Sequence, residues 1–157
     1  MATDHQLTNL SIYLSQSRRL KLTELNIINC NLDTQALAET LRSLKNLEKL
    51  QKLSLVEMPK IFDKKSLRLL YRCCVKHPSL THLNLMKNQI EYYEPLVELL
   101  KQTKNLQMLN ISGNYMTEVV IQRFLSGLEE NTSLVDLAYD KHRDVVIPQE
   151  LVDKVTH

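Results

Sequence analysis

Glycine is scarce in this sequence: only Gly113 and Gly127 occur in 157 residues. A glycine-rich loop whose backbone amides cradle a phosphate is therefore excluded. The spacings G-x-x-x-x-G-K-[ST], H-E-x-x-H and G-x-S-x-G are also missing. They would have signalled nucleotide binding, zinc-dependent hydrolysis or a serine nucleophile. No apolar run approaches the roughly 18 residues that span a bilayer. Residues 1–10 are polar and carry no signal-peptide core. Cysteine is limited to Cys30, Cys73 and Cys74, an odd number without scaffold-like spacing. Such thiols fit a reducing, cytoplasmic compartment better than a disulfide framework. The N-x-[ST] matches at Asn9, Asn110 and Asn131 then read as chance. A net charge of +2 argues against strong attraction to nucleic acid or an anionic membrane.

What the chain does have is a repeat. L-x-x-L-x-[L/I/Y] recurs at Leu22–Ile27, Leu50–Leu55, Leu80–Leu85, Leu106–Ile111 and Leu134–Tyr139. A period in the range of 20–50 residues marks a solenoid of stacked units. Within each unit the hydrophobic period changes. Leu25 and Ile27 alternate with Glu24, Asn26 and Ile28, as in a short strand with one buried face. Leu37, Leu41 and Leu44 then follow at helical spacing, as do Leu67, Leu70 and Cys74. Leu96, Leu99 and Leu100 repeat the pattern, and so do Ile121, Phe124, Leu125 and Leu128. Asp33 or Thr34, Asp63 and Thr117 sit where a short side chain caps a helix start, and Pro95 suits a first turn. Asn46, Asn105 and Asn131 sit near helix ends, where asparagine tolerates a left-handed exit. His77-Pro78 stops the second helix.

The expected architecture is α/β: one domain over 1–157, with about five repeats over 22–140. Parallel strands near 24–28, 52–56, 82–86, 108–112 and 136–140 should line a concave side, with helices on the convex side. Leu7, Leu10 and Leu14 predict a helical N-terminal cap within 1–21. Leu151 and Val155 predict a last short helix in a C-terminal cap over 141–157, because solenoids need atypical ends to shield the core.

These copies resemble the leucine-rich repeat family, whose pattern is L-x-x-L-x-L-x-x-[NC]-x-L. Asn88 and Asn114 occupy its asparagine position, Cys30 its usual alternative, and Leu32, Ile90 and Met116 its last apolar position. A length near 28 and a long helical half are similar to the ribonuclease-inhibitor-like subfamily. The passage Phe124–Leu134 resembles that subfamily's helix-to-strand connection. Glu129–Leu134 and the following tail bear a faint likeness, over few residues, to the actin-capping tropomodulin type. The chain departs from the pattern twice. Met58, followed by Pro59, stands at the asparagine position, so that turn should be irregular. Tyr139 and His142 replace leucine and asparagine in the fifth copy, which reads as a degenerate cap.

The resemblance implies a non-catalytic protein-binding scaffold or adaptor, a step from fold to function made by analogy. The alternative is an intracellular effector or regulator acting on host, cytoskeletal or ubiquitin machinery; an enzyme is disfavoured. Strand alternation puts three columns of side chains on the concave face. Glu24, Lys52, His82, Met108 and Asp136 form the first, and Asn26, Ser54, Asn84, Asn110 and Ala138 the second. Ile28, Val56, Met86, Ser112 and Asp140 form the third. Ile28, Val56, Met86 and Met108 should make an exposed apolar stripe fit for a protein partner, although apolar residues also simply suit strands. The Tyr92-Tyr93 edge is a second candidate, read more simply as one packed and one exposed ring. Arg18, Arg19 and Lys21 read as a solvated helix end. Cys73, Cys74 and His77 lack the fourth ligand of a structural zinc site and the oxyanion site of a Cys–His nucleophile. No metal or cofactor is expected, no nucleic acid or membrane partner, and a monomeric state in the absence of the partner protein.

Overall fold

A computed structural model describes residues 12–14 and 21–140. The predicted caps lie outside them, except that Ile12–Leu14 are helical and Leu14 is buried. Five parallel strands form one sheet in sequence order: β1 Glu24–Ile28, β2 Lys52–Val56, β3 His82–Asn84, β4 Met108–Asn110 and β5 Asp136–Ala138. Between them run α1 Thr34–Ser43, extended by a 3-10 turn at Leu44–Asn46, α2 Lys64–Cys74, α3 Glu94–Gln102 and α4 Glu118–Glu130. Each strand stacks on the next strand and each helix on the next helix. This is the leucine-rich repeat solenoid, with strands on the concave side and helices on the convex side.

The strand register follows from alternation. Leu25, Leu53, Leu83, Leu109 and Leu137 pair in turn and are all buried. Their partners two residues on, Ile27, Leu55, Leu85 and Ile111, are buried as well. Leu83→Ala and Leu109→Ala should each lower stability by roughly 2–5 kcal/mol, because neither cavity can collapse between stacked repeats. A negligible change in the urea midpoint of either variant would contradict the inward register.

Strand lengths depart from expectation. All five begin where the pattern places them, but β3, β4 and β5 end two residues early. In β3 the Asn84 Oδ1 accepts the Met86 N–H at 3.1 Å. In β4 the Asn110 Oδ1 accepts the Ser112 N–H at 3.0 Å. These local turns divert backbone donors from the ladder. In β1, Asn26 donates instead to the Glu24 carboxylate at 2.7 Å, and pairing continues to Ile28↔Val56.

The helix starts follow the sequence. Asp33 caps α1 through the Ala36 N–H, Asp63 caps α2 through Lys65 and Ser66, and Thr117 caps α4 through Val120. These donors hold the Asp63 carboxyl below its ordinary value, chiefly through the Ser66 N–H. Tyr93 precedes α3 without a side-chain cap, and Pro95 lies in its first turn. The helix ends require a correction. Asn46, Asn105 and Asn131 are not left-handed; among the described residues the positive-φ non-glycine ones are Asn29, Glu57, Lys60, Lys87 and Gln89. The amides act through their side chains instead. Asn131 donates to the Leu100 carbonyl at 2.6 Å and accepts from Ser133 and Leu134. Asn105 donates to the carbonyls of His77 and Pro78. An amide group both donates and accepts, so it can tie one repeat to the next. Asn131 is thereby buried and engaged, which leaves its N-x-[ST] motif no access to modification.

Left-handed backbone instead marks the turn after each of the first four strands. Asn29, Glu57, Lys87 and Gly113 occupy the same repeat position with φ of 51°, 55°, 57° and 70°. Asn88 and Asn114 brace this region. Asn114 Oδ1 accepts from the N–H groups of Asn88 and Ile90 in the preceding repeat. Asn88 Oδ1 accepts the Met58 N–H at 2.8 Å. Met58 has no amide to offer the repeat before it, and its turn is indeed different. The second left-handed residue there is Lys60, three after Glu57, whereas Gln89 follows Lys87 by two. The buried Met58 side chain fills core space instead.

Candidate functional site

The sheet register assembles the first two columns on the concave face. Glu24, Lys52, His82, Met108 and Asp136 pair in sequence, and so do Asn26, Ser54, Asn84, Asn110 and Ala138. Side chains of one column sit a strand spacing of about 4.8 Å apart. Glu24, Asn26 and Lys52 are exposed; Ser54, His82, Asn84, Met108 and Asn110 are half-buried. The face is thus open and mostly polar, with methionines among amides.

The expected apolar stripe is broken. Ile28 is 53% exposed and Met86 half-buried, but Val56 is only 4% exposed. Val56 pairs with Ile28 on one side, and the Met86 carbonyl accepts the Glu57 N–H on the other. Val56 is therefore buried between these two neighbouring repeats and offers little surface to a partner. Alternation reports direction and not depth.

Two features of this edge were not read from the sequence. Lys87 Nζ lies 2.9 Å from Glu57 Oε1. Asp140 accepts the Gly113 N–H with both carboxylate oxygens, at 3.0 and 2.8 Å. Lys87 and Glu57 hold equivalent positions of neighbouring repeats, so spacing alone could have paired them, whereas Asp140 stands one position before the equivalent of Gly113.

The other candidates have structural roles. Tyr93 is buried and meets Phe124 edge-on, with ring centroids 5.6 Å apart. Tyr92 is half-buried, with Lys64 Nζ 5.0 Å from its ring centroid. Cys74 is in the core, where burial pushes its thiol pKa up, and Cys73 is half-buried with the same direction and cause. Among the described residues no group of three or more His, Cys, Asp or Glu side chains is placed to hold a metal ion. None of their helices is long and apolar enough to cross a membrane.

His77 is buried. Its Nε2 lies 3.3 Å from the Leu44 carbonyl oxygen, and its Nδ1 accepts the Ser79 N–H at 3.4 Å. Burial lowers its pKa below the ordinary 6.5, only partly opposed by the carbonyls of Leu44 and Leu47. Below about pH 6.5 the unfolded chain therefore binds a proton that the folded chain resists. Stability should fall as pH drops from 6.5 through the lowered folded value. His77→Gln should flatten urea midpoints across that window, and an unchanged slope would assign the dependence to other groups.

At the level of sequence the chain matches no family model and no curated protein. Solved structures do resemble it. One is the tropomodulin C-terminal domain of Caenorhabditis elegans, at 19% identity over 95% of this chain and 89% of that one, with a TM-score of 0.73. Another is actin-binding site 2 of leiomodin-1, at 15% identity over 99% of this chain and 88% of that one, with a TM-score of 0.75. The likeness is one of fold. It extends along nearly the whole chain rather than a single repeat.

Proposed function

We propose that this chain is a non-catalytic protein-binding module whose concave strand face carries the contact, and that its partner is actin. The observation behind the reading is the open, in-register face, held rigidly by leucines on its reverse side. The leiomodin-1 neighbour, an actin-binding site by description, supplies the partner. On this reading the contact is made by Glu24, Asn26, Ile28, Lys52, Ser54, His82, Asn84, Met86, Met108 and Asn110, with Val56 buried between neighbouring repeats. We further read residues 1–157 as one capped, monomeric, cytoplasmic domain. Its repeats are of the ribonuclease-inhibitor-like length.

The test is titration of the purified chain against fluorescent monomeric actin, and co-sedimentation with filaments. Saturable binding to either form is expected. Met86→Asp should weaken it by roughly tenfold or more, by forcing a charge into a desolvated contact. Lys52→Glu should act mainly on association rate and salt dependence. Wild-type affinity in Met86→Asp would reject the concave face, and absence of binding to both forms would reject actin.

A further inference from the structure

The whole-chain charge of +2 conceals a strong segregation. Residues 42–76 hold ten of the 20 Lys and Arg residues against three acidic ones, whereas residues 77–140 hold four against eight. Six of these ten lie on the helix side, whereas Lys52 stands on the strand face. A groove of about 570 Å³ runs between α1 and α2, and a depression of about 380 Å³ continues it. Both share Arg42 and Arg72. Lys65, Arg68, Arg72 and Lys76 line the α2 side, and Arg42 and Lys45 the α1 side. All six are exposed. The ion pairs Lys87–Glu57, Lys101–Glu130 and Arg123–Glu94 lie elsewhere. The Asp63 carboxylate at one end is already engaged by its own helix start.

We propose that this groove docks an acidic amphipathic helix from a partner protein. The geometry specifies the occupant. Lys65, Leu69 and Arg72 fall on one stripe of α2, spanning about 10 Å, or two turns, and Lys76 follows just past the helix end. The floor between the two cationic rows includes the half-buried Ala38 and Leu69. A small and an apolar side chain there accept a ridge of apolar residues, while carboxylates on either flank reach the guanidinium groups, which bind them in bidentate fashion. Nucleic acid is disfavoured because no aromatic ring lines the groove for base stacking. A membrane surface is disfavoured because the exposed large apolar residues among those described, such as Ile28, Tyr115 and Val119, lie outside α1 and α2.

The probe is a fluorescein-labelled peptide of three helical turns with leucines at i, i+4 and i+7 and glutamates on both flanks, read by anisotropy with the full chain. Saturable binding that weakens as salt is raised is expected, and none to the same peptide with lysine for glutamate. Arg68→Glu with Arg72→Glu should reduce affinity by roughly tenfold or more without moving the thermal midpoint, since both side chains are exposed. Arg42→Glu, on the opposite wall, should act in the same direction. Met86→Asp should leave peptide binding unchanged, which separates this surface from the concave face. Absence of saturation, or wild-type affinity in the double variant, would overturn the proposal. So would tighter binding to phosphoinositide-containing vesicles or to a single-stranded oligonucleotide than to the acidic peptide.

Discussion

Leu85→Asp is expected to leave the chain unfolded at room temperature, while Met86→Asp, one position on, should melt close to wild type. Leu85 is fully buried, on the core side of the β3 stretch. Its backbone N–H is already committed to the Asn110 carbonyl at 2.8 Å, so the segment cannot turn over to expose a new side chain. A carboxylate there must either shed its hydration or take up a proton, at several kcal/mol in either case. The total stability of a domain is about 5–15 kcal/mol. Lost leucine packing, at about 2–5 kcal/mol, adds to the penalty. Met86 points the other way and is half-buried, so its aspartate keeps water. Far-ultraviolet circular dichroism on the two variants is the measurement. A cooperative, wild-type-like melt for Leu85→Asp would mean that the strand presents its other face to the core.

Asn88→Ala should destabilise the chain by roughly 3–5 kcal/mol, far more than its size implies. Asn88 is fully buried. Its Oδ1 accepts the Met58 N–H, and its Nδ2 donates to the carbonyls of Leu55 and Leu85 at 2.7 and 2.9 Å. Alanine removes all three bonds; the Leu85 carbonyl keeps a donor in Asn114 Nδ2 at 3.0 Å, but the Met58 N–H and the Leu55 carbonyl lose their Asn88 partner, at a penalty of about 1–3 kcal/mol for each group left unsatisfied. The preceding repeat has Met58 where an asparagine would stand, so no local side chain takes over. Asn84→Ala is the matched control: Asn84 is half-buried and its Oδ1 accepts from a nearby N–H, that of Met86. Its loss should be within about 1 kcal/mol. Equal urea midpoints for the two alanine variants would contradict the bracing role.

The candidate face was legible in part. Alternation at Glu24, Lys52, His82 and Met108 correctly identifies a column, because in parallel strands a shared repeat phase becomes a shared register. It failed at Val56, which is buried between neighbouring strands roughly 28 residues away on either side. It failed again in reading Asn105 and Asn131 as backbone formers, because an amide's conformational tolerance is local whereas its hydrogen bonds here reach the adjacent repeat.

The sequence by itself determined the strand–helix alternation, the starts of the strands, three helix caps and the identity of the core leucines. Each depends on neighbours within about one helical turn or two strand residues, and local periodicity records those neighbours directly. Tertiary structure alone decided that Asn88 serves a turn belonging to the previous repeat, and that Arg42 faces Arg72 across a groove. Those facts turn on distances of a few ångströms between residues about 30 positions apart. Stacking sets such distances, and no pattern within a single repeat encodes them.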